Sequence, residues 1–119
     1  MNDTSAVLSG QCAPWPTKET LVRYLRDAGL QVSEGRYSVR VQDCSHFVFQ
    51  HLGADISAPT VDADAENAEL LLRDARLVSR ALAGAGVTHR FEVYDFKDSL
   101  FAYLHHNWPA EVPTLNPRG

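Results

Sequence analysis

The stretch RYSVRVQDCSHFVFQHL, from Arg36 to Leu52, has the pattern of a β-hairpin. Its first part alternates strictly, with Tyr37, Val39 and Val41 on one side and polar side chains between them. This period of two predicts a half-buried strand. The segment DCS can form a turn, and HFVFQHL then reads as the returning strand.

A second strand–turn–strand pattern lies near the end of the chain. THRFEVYD (88–95) alternates like a strand, FKDS (96–99) can turn, and LFAYLHHNW (100–108) reads as the last strand. Because a hairpin needs only a short loop, each of the two pairs is expected to be antiparallel.

A helix is predicted ahead of each hairpin. Thr17 can cap the first helix and Gly29 can end it, while Asp62 or Asp64 is expected to cap a longer helix over about residues 65–85. The first helix has an apolar face made of Leu21, Tyr24, Leu25 and Ala28, and the second one made of Ala68, Leu71, Leu72, Ala75, Val78, Leu82 and Ala85.

These elements predict an α+β fold in the order α-β-β-α-β-β. We expect a two-layer sandwich, in which a four-stranded antiparallel sheet carries two helices on one face. VRYLRDAGL resembles SRALAGAGV, and RYSVRV resembles HRFEVY, which is compatible with an αββ duplication. The expected organisation is a single domain over residues 1–119, with a loose leader (1–15), a folded core (16–108) and an irregular, proline-containing tail (109–119).

Composition narrows the classes of function. The chain has 119 residues, 45% of them hydrophobic, and a formal net charge of −4. A negative protein is poorly suited to nucleic acid or an anionic membrane and better suited to a basic partner. Two cysteines, Cys12 and Cys44, are too few for a disulfide framework, so we expect reduced thiols and a cytoplasmic location. Neither a secretory signal nor a membrane-spanning apolar run is recognised.

The sheet face away from the helices is the predicted binding surface. If Leu100, Ala102, Leu104, His106 and Trp108 point inward, the alternate residues of the last strand point outward. The predicted binding residues on this open face are Arg36, Arg40, Arg90, Tyr94, Phe101, Tyr103 and His105. Aromatic and arginine side chains are enriched where proteins bind each other. The alternative is that both faces of the last strand are apolar because the tail folds over one of them.

The histidines do not form a local metal site. His105 and His106 are adjacent, so on a strand they leave opposite faces. A site would need His105 with His46 or His51, or His106 with His89. No recognised ligand spacing is present, and neither a metal nor a cofactor is predicted.

The sequence also lacks a catalytic signature. Cys44 lies two residues from His46, but no motif marks a pocket or an oxyanion hole beside them. We therefore predict no catalytic residue, and an enzyme is the less favoured interpretation.

Three hypotheses for function follow from these patterns. The favoured one is a small acidic protein-binding module, similar in role to immunity proteins, antitoxins or adaptors, that acts through the open sheet face or an acidic edge. The second is a ligand-binding domain or metal-assisted enzyme centred on His46, His105, Cys44 and Asp95. The third is a binder of single-stranded nucleic acid on the sheet face, against which the net charge argues. A homodimer through the open face or an edge strand is compatible with all three.

Overall fold

The computed structural model describes residues 4–54 and 57–109. Seven strands and two helices follow one another along the chain. In chain order they are β1 (Ala6–Cys12), α1 (Lys18–Asp27), β2 (Val32–Glu34), β3 (Val39–Val41), β4 (Phe47–Gln50), β5 (Thr60–Ala65), α2 (Ala68–Gly84), β6 (His89–Tyr94) and β7 (Leu100–His106). All strands belong to one sheet, in the order β2-β3-β4-β5-β1-β6-β7, and every neighbouring pair is antiparallel.

The α+β sandwich class is confirmed, but the prediction of four strands is wrong. Three further strands are present: β1, β2 and β5. Two of them separate the predicted hairpins, because β5 and β1 lie between β4 and β6, whereas β2 is an edge strand beside β3. The observed order of elements is therefore not two copies of an αββ unit.

The expected loose leader contains an interior strand of the sheet. β1 pairs with β5 on one side, where Leu8 lies opposite Ala63, and with β6 on the other, where Leu8 lies opposite Val93. Ala6 and Leu8 are buried against the helices, while Val7 is exposed. The small side chains of this segment make a weak alternating pattern, and its pairing partners lie far along the chain.

The two helices begin at side-chain caps. Thr17 caps α1 as predicted, since its Oγ1 accepts a hydrogen bond from the Thr20 N–H at 3.2 Å. The cap of α2 is Asn67, whose Oδ1 accepts from the Leu70 N–H at 2.9 Å. The expected caps Asp62 and Asp64 instead lie on β5. A cap of this kind satisfies a backbone donor at the start of the helix.

The core lies between the helices and one face of the sheet. Inward-facing strand residues and the apolar faces of both helices form one cluster. α1 contacts β2 and β3, α2 contacts β5, β1, β6 and β7, and the helices contact each other. Phe47 packs against Phe49 and Phe91 with ring centroids 5.9 and 5.5 Å apart. Burial of each such side chain contributes about 1.5–3 kcal/mol to the free energy of folding.

The sheet has one uncovered face and two edges, and these are its remaining surfaces. One face is covered by helices, so period two places alternate side chains of every strand on the uncovered face. β2 and β7 are the two outermost strands. Within the described residues, no helix is long and apolar enough to cross a membrane. The predicted irregular tail falls outside the described residues from position 110 onward.

Candidate functional site

The centre of the open sheet face is polar and acidic. Asp62 on β5 accepts hydrogen bonds from Gln50 Nε2 at 3.1 Å and from Thr60 Oγ1 at 2.9 Å. The neighbouring Asp64 lies 3.0 Å from His46 Nδ1. Because these carboxylates lie on a middle strand, they divide the open face into two halves.

The predicted arginines are not brought together. Arg40 on β3 and Arg90 on β6 are four strands apart, or about 19 Å at the usual strand spacing. Arg36 precedes β3 in a turn, with its guanidinium carbon 5.3 Å from the centre of the Tyr37 ring. It lines a cleft together with Trp15 at the start of α1. An arginine surface spanning the sheet is therefore absent from the described part of the chain.

Four of the seven predicted residues do lie together on β6 and β7. Arg90 and Tyr94 belong to β6, and Tyr103 and His105 belong to β7. The strand register pairs Arg90 with His105, and the rings of Tyr103 and His105 are 5.2 Å apart. Period two was sufficient to place these four side chains on one surface.

Arg90 is the centre of a compact polar network, which we call the Arg90 cluster (Gln11, Arg90, Glu92, Tyr94 and Trp108). Its Nη2 donates to Gln11 Oε1 at 2.9 Å, and its Nη1 lies 3.5 Å from Glu92 Oε2. The Tyr94 hydroxyl donates to Glu92 Oε1 at 3.1 Å, and this hydrogen bond raises the pKa of Tyr94. The Arg90 guanidinium carbon lies 5.0 Å from the centre of the Trp108 ring. These contacts hold a cation and an aromatic ring in a defined geometry.

Two residues of the last strand depart from the expected alternation. Trp108 was expected to point inward, but its ring lies beside Arg90 on the open face. Asn107, with φ +56°, breaks the extended conformation just before it. A register irregularity at Val93/Tyr94 disturbs the other end of β7, and Phe101 there lines a cleft with Asn67 and Ala68 at the start of α2.

The middle of β7 follows the predicted orientation. Ala102 and Leu104 lie opposite Val93 and Phe91 and pack against the core. Leu100, which lies beyond the register irregularity, is 57% exposed.

The two edges of the sheet differ in character. β2 has three residues, and its Glu34 forms ion pairs with Lys18 at 3.8 Å and Arg26 at 3.7 Å. β7 has seven residues and contains no Asp, Glu, Lys or Arg. Four large apolar side chains are exposed on β7 and the turn before it, and we call them the β7 margin: Phe96, Leu100, Phe101 and Tyr103.

His89 has a structural environment. Its ring is completely buried, Nδ1 donates to the Val87 carbonyl at 2.8 Å, and Nε2 lies 2.7 Å from Ser79 Oγ. Burial lowers the pKa of His89, so the neutral ring accepts a hydrogen bond from the Ser79 hydroxyl at Nε2, and this contact ties α2 to β6. A buried imidazole of this kind satisfies the polar groups around it and has no surface for a substrate.

The other histidines are also dispersed. The rings of His106 and His89 are stacked with their centroids 6.2 Å apart, so the pair His106 with His89, considered above as half of a metal site, is in contact. His46 is instead bound to Asp64, two strands away from β6. Across residues 4–54 and 57–109, no group of three His, Cys, Asp or Glu side chains is placed to hold a metal ion.

The cysteines are buried and free. Burial, with the Asp74 carboxylate as a second cause, raises the pKa of Cys44 to about 12, and burial raises that of Cys12 to about 12. The Cys44 thiol lies 3.9 Å from the Asp74 carbonyl oxygen. Since the thiolate is the nucleophile, this environment does not activate Cys44.

Asp95, the fourth member of the enzyme hypothesis, shapes a turn. Its Oδ1 accepts from the backbone N–H groups of Lys97 and Ser99 at 2.9 and 3.0 Å. The side chains of that hypothesis are thus distributed over separate parts of the sheet.

Sequence reasoning missed three members of the Arg90 cluster: Gln11, Glu92 and Trp108. Glu92 lies on the open face beside Arg90 but is not among the predicted binding residues. Gln11 could be found only once residues 6–12 were recognised as a strand beside β6. No local signal reports that neighbourhood.

Comparisons of the chain with protein-family models, with curated proteins and with solved structures found no match.

Proposed function

We propose that the protein is a protein-binding module that pairs β7 with an extended segment of a basic partner protein. The observation that carries the proposal is the contrast between the two edges of the sheet: β7 is long, uncharged and apolar, whereas β2 is short and charged. Inhibitors, immunity proteins, antitoxins and adaptors are the kinds of protein that act in this way.

The backbone of β7 supports the pairing. β7 hydrogen-bonds to β6 on its inner side, and no described strand pairs with its outer side. An outermost strand presents a row of N–H and C=O groups on which a further strand can form. The charges around Glu34 and the short length of β2 discourage the same pairing at the opposite edge.

The side chains of the β7 margin support it as well. Leu100 is 57% exposed and Phe96 53% exposed. An added strand would cover part of this apolar surface, and about 25 cal/mol is gained for each Å² removed from water. Arg90 and Tyr94 of the Arg90 cluster lie on the neighbouring strand β6, and Trp108 follows β7. Arginine, tyrosine and tryptophan are the residues most enriched at binding hot spots.

The net charge selects the partner. At −4, two copies of the chain repel each other at long range, whereas a basic protein is attracted. A basic protein with an extended apolar segment therefore fits β7 better than a second copy of this chain.

Site-specific photocrosslinking in the source organism tests the proposal. A photoreactive amino acid replaces Phe101 on β7 in one strain and Ser33 on β2 in a matched strain. We expect position 101 to crosslink to one basic protein through an extended segment, and position 33 to give no such product. Crosslinks from position 101 that join two copies of this chain, or that remain within one copy, would contradict the proposal.

A charge substitution then tests the contact with the captured partner. Leu100→Lys adds a cation at the proposed interface, and Val7→Lys adds the same cation at an exposed position on a central strand. We expect Leu100→Lys to weaken binding about tenfold or more, by about 1.4 kcal/mol or more, and Val7→Lys to change it much less. Equal weakening by both variants would show that net charge, and not the edge strand, determines binding.

A further inference from the structure

The outer face of α2 lines a cleft with a volume of about 550 Å³. Glu69, Leu72, Arg73, Arg76, Leu77 and Arg80 line it along the helix, and Asp43 lines it from the turn after β3. This face points away from the sheet, because the opposite face of α2 supplies the core residues Leu71, Ala75, Val78 and Leu82. The cleft is therefore a surface distinct from the β7 margin.

The spacing of these residues produces a basic ridge between two leucines. Arg73, Arg76 and Arg80 are three and four residues apart, so they lie in one row on the helix. The row is about 10 Å long at 1.5 Å per residue. Leu72 lies on one side of it and Leu77, 36% exposed, lies on the other.

Two of the three arginines keep an unneutralised charge. Arg73 Nη2 lies 3.5 Å from Oδ1 of Asp74, a carboxylate that is only 1% exposed. Asp74 Oδ2 also accepts from the Ser45 N–H at 2.9 Å, which ties α2 to the turn before β4. Arg76 and Arg80 form no ion pair with any described residue. The lining of the cleft holds three arginines and three carboxylates, and the Arg76–Arg80 part of it is cationic.

We infer that this cleft binds an acidic amphipathic helix of a partner protein. Carboxylates of such a helix can accept paired hydrogen bonds from Arg76 and Arg80, which present planar guanidinium groups. Its apolar side chains can cover Leu72 and Leu77, as helices do when they lie in apolar grooves. Three turns of α2, from Glu69 to Arg80, offer a contact about 16 Å long.

Charge and hydropathy favour a peptide over nucleic acid. A phosphate backbone gains nothing from Leu72 and Leu77, and it is repelled by the Glu69 and Asp43 carboxylates in the cleft lining. A helix with acidic residues toward Arg80 keeps them away from Glu69, which lies at the opposite end of this stretch of α2.

The probe is a synthetic helix of about five turns that repeats leucine at helical spacing and carries glutamates beside it. A peptide of the same composition in scrambled order is the control. In an NMR titration of the full chain we expect the first peptide to shift the backbone amides of residues 69–80, and to bind about tenfold more tightly than the scrambled peptide. Binding should weaken as salt is raised, since exposed charges are screened.

Matched charge reversals assign the binding to the cleft. Arg76→Glu with Arg80→Glu should lower the affinity about tenfold or more, whereas Arg23→Glu, an exposed position on α1, should leave it within about twofold. Leu77→Ala should lower it several-fold without removing the salt dependence. Circular dichroism confirms that each variant is folded.

Three results would overturn the inference. The first is a set of shifts spread over the whole surface with no preference between the two peptides. The second is an equal loss of affinity in the Arg23→Glu control. The third is tighter binding of a single-stranded oligonucleotide than of the helical peptide at the same salt concentration.

Discussion

Replacing Gly10 by alanine should destabilise the protein, because β1 passes directly beneath a buried phenylalanine. A Cβ atom added at Gly10 would lie 2.6 Å from Cδ1 and 3.0 Å from Cε1 of Phe91, and 3.1 Å from the Arg90 carbonyl oxygen. Phe91 lies opposite Gly10 in the sheet and is completely buried. The ring contacts Phe47 at 5.5 Å and His89 at 5.0 Å, so it has no open space to enter.

The magnitude follows from two opposing effects. Overpacking of a well-filled core by one methyl group costs about 1–3 kcal/mol. Replacement of glycine lowers the entropy of the unfolded chain and returns about 0.4–1 kcal/mol. We therefore expect Gly10→Ala to lower the free energy of unfolding by about 1–2 kcal/mol.

Urea unfolding of matched variants measures this effect. Gly84→Ala is the control, because an added Cβ at this position in α2 meets nothing within 4 Å. That variant should be as stable as the parent or more stable, by up to about 1 kcal/mol. Phe91→Leu should lower the free energy of unfolding less in the Gly10→Ala variant than in the parent protein, since the two sites are in contact and a smaller side chain relieves the clash. The reasoning is refuted if Gly10→Ala is as stable as Gly84→Ala.

Two further predictions concern buried titratable groups. Burial holds the pKa of folded His89 below its ordinary value of 6.5, so between those two values the unfolded chain binds more protons than the folded one. The free energy of unfolding should therefore be highest above pH 6.5 and decrease as the pH is lowered. The His89 resonance in NMR should titrate with a midpoint below 6.5. A midpoint above 6.5 would contradict the described burial. Cys12 and Cys44, each with a pKa of about 12, should react with a thiol reagent at neutral pH only as fast as the protein opens, so labelling should accelerate sharply in urea. Rapid labelling of the native protein would show that one of the thiols is accessible.

Local patterns were sufficient for the two hairpins and both helices. β3, β4, β6 and β7 were recognised because their apolar residues alternate over several positions and their turns are short. Thr17 was recognised as a cap because a hydroxyl preceded an apolar helical pattern. These patterns depend only on residues close together in the chain, and the tertiary contacts of the folded protein agree with them.

β1 and β5 escaped recognition for a physical reason. Their inward positions include small residues, Ala6, Ala63 and Ala65 among them, which give little contrast with the outward ones. Asp62 and Asp64 looked like a helix cap, but on β5 they face the open side of the sheet. Small residues fit there because the helices pack above them, and that packing is not visible in a short window of sequence.

The candidate site likewise divides into residues that local patterns place correctly and residues that only the tertiary structure places. Arg90 and Tyr103 could be placed on one surface because they belong to one hairpin. Arg40 was grouped with them although β4, β5 and β1 lie between β3 and β6. Trp108 was placed on the wrong face because one left-handed residue, Asn107, ends the alternation.

The amino-acid sequence by itself determined the class of fold, both helices and the two hairpins, since each depends on neighbouring residues. The tertiary structure alone decided that β1 lies inside the sheet between β5 and β6, and therefore which side chains meet around Arg90 and which strands form the edges. The pairing of Gly10 with Phe91 joins positions 81 residues apart. Such a contact forms only when the whole sheet assembles, so no local propensity specifies it.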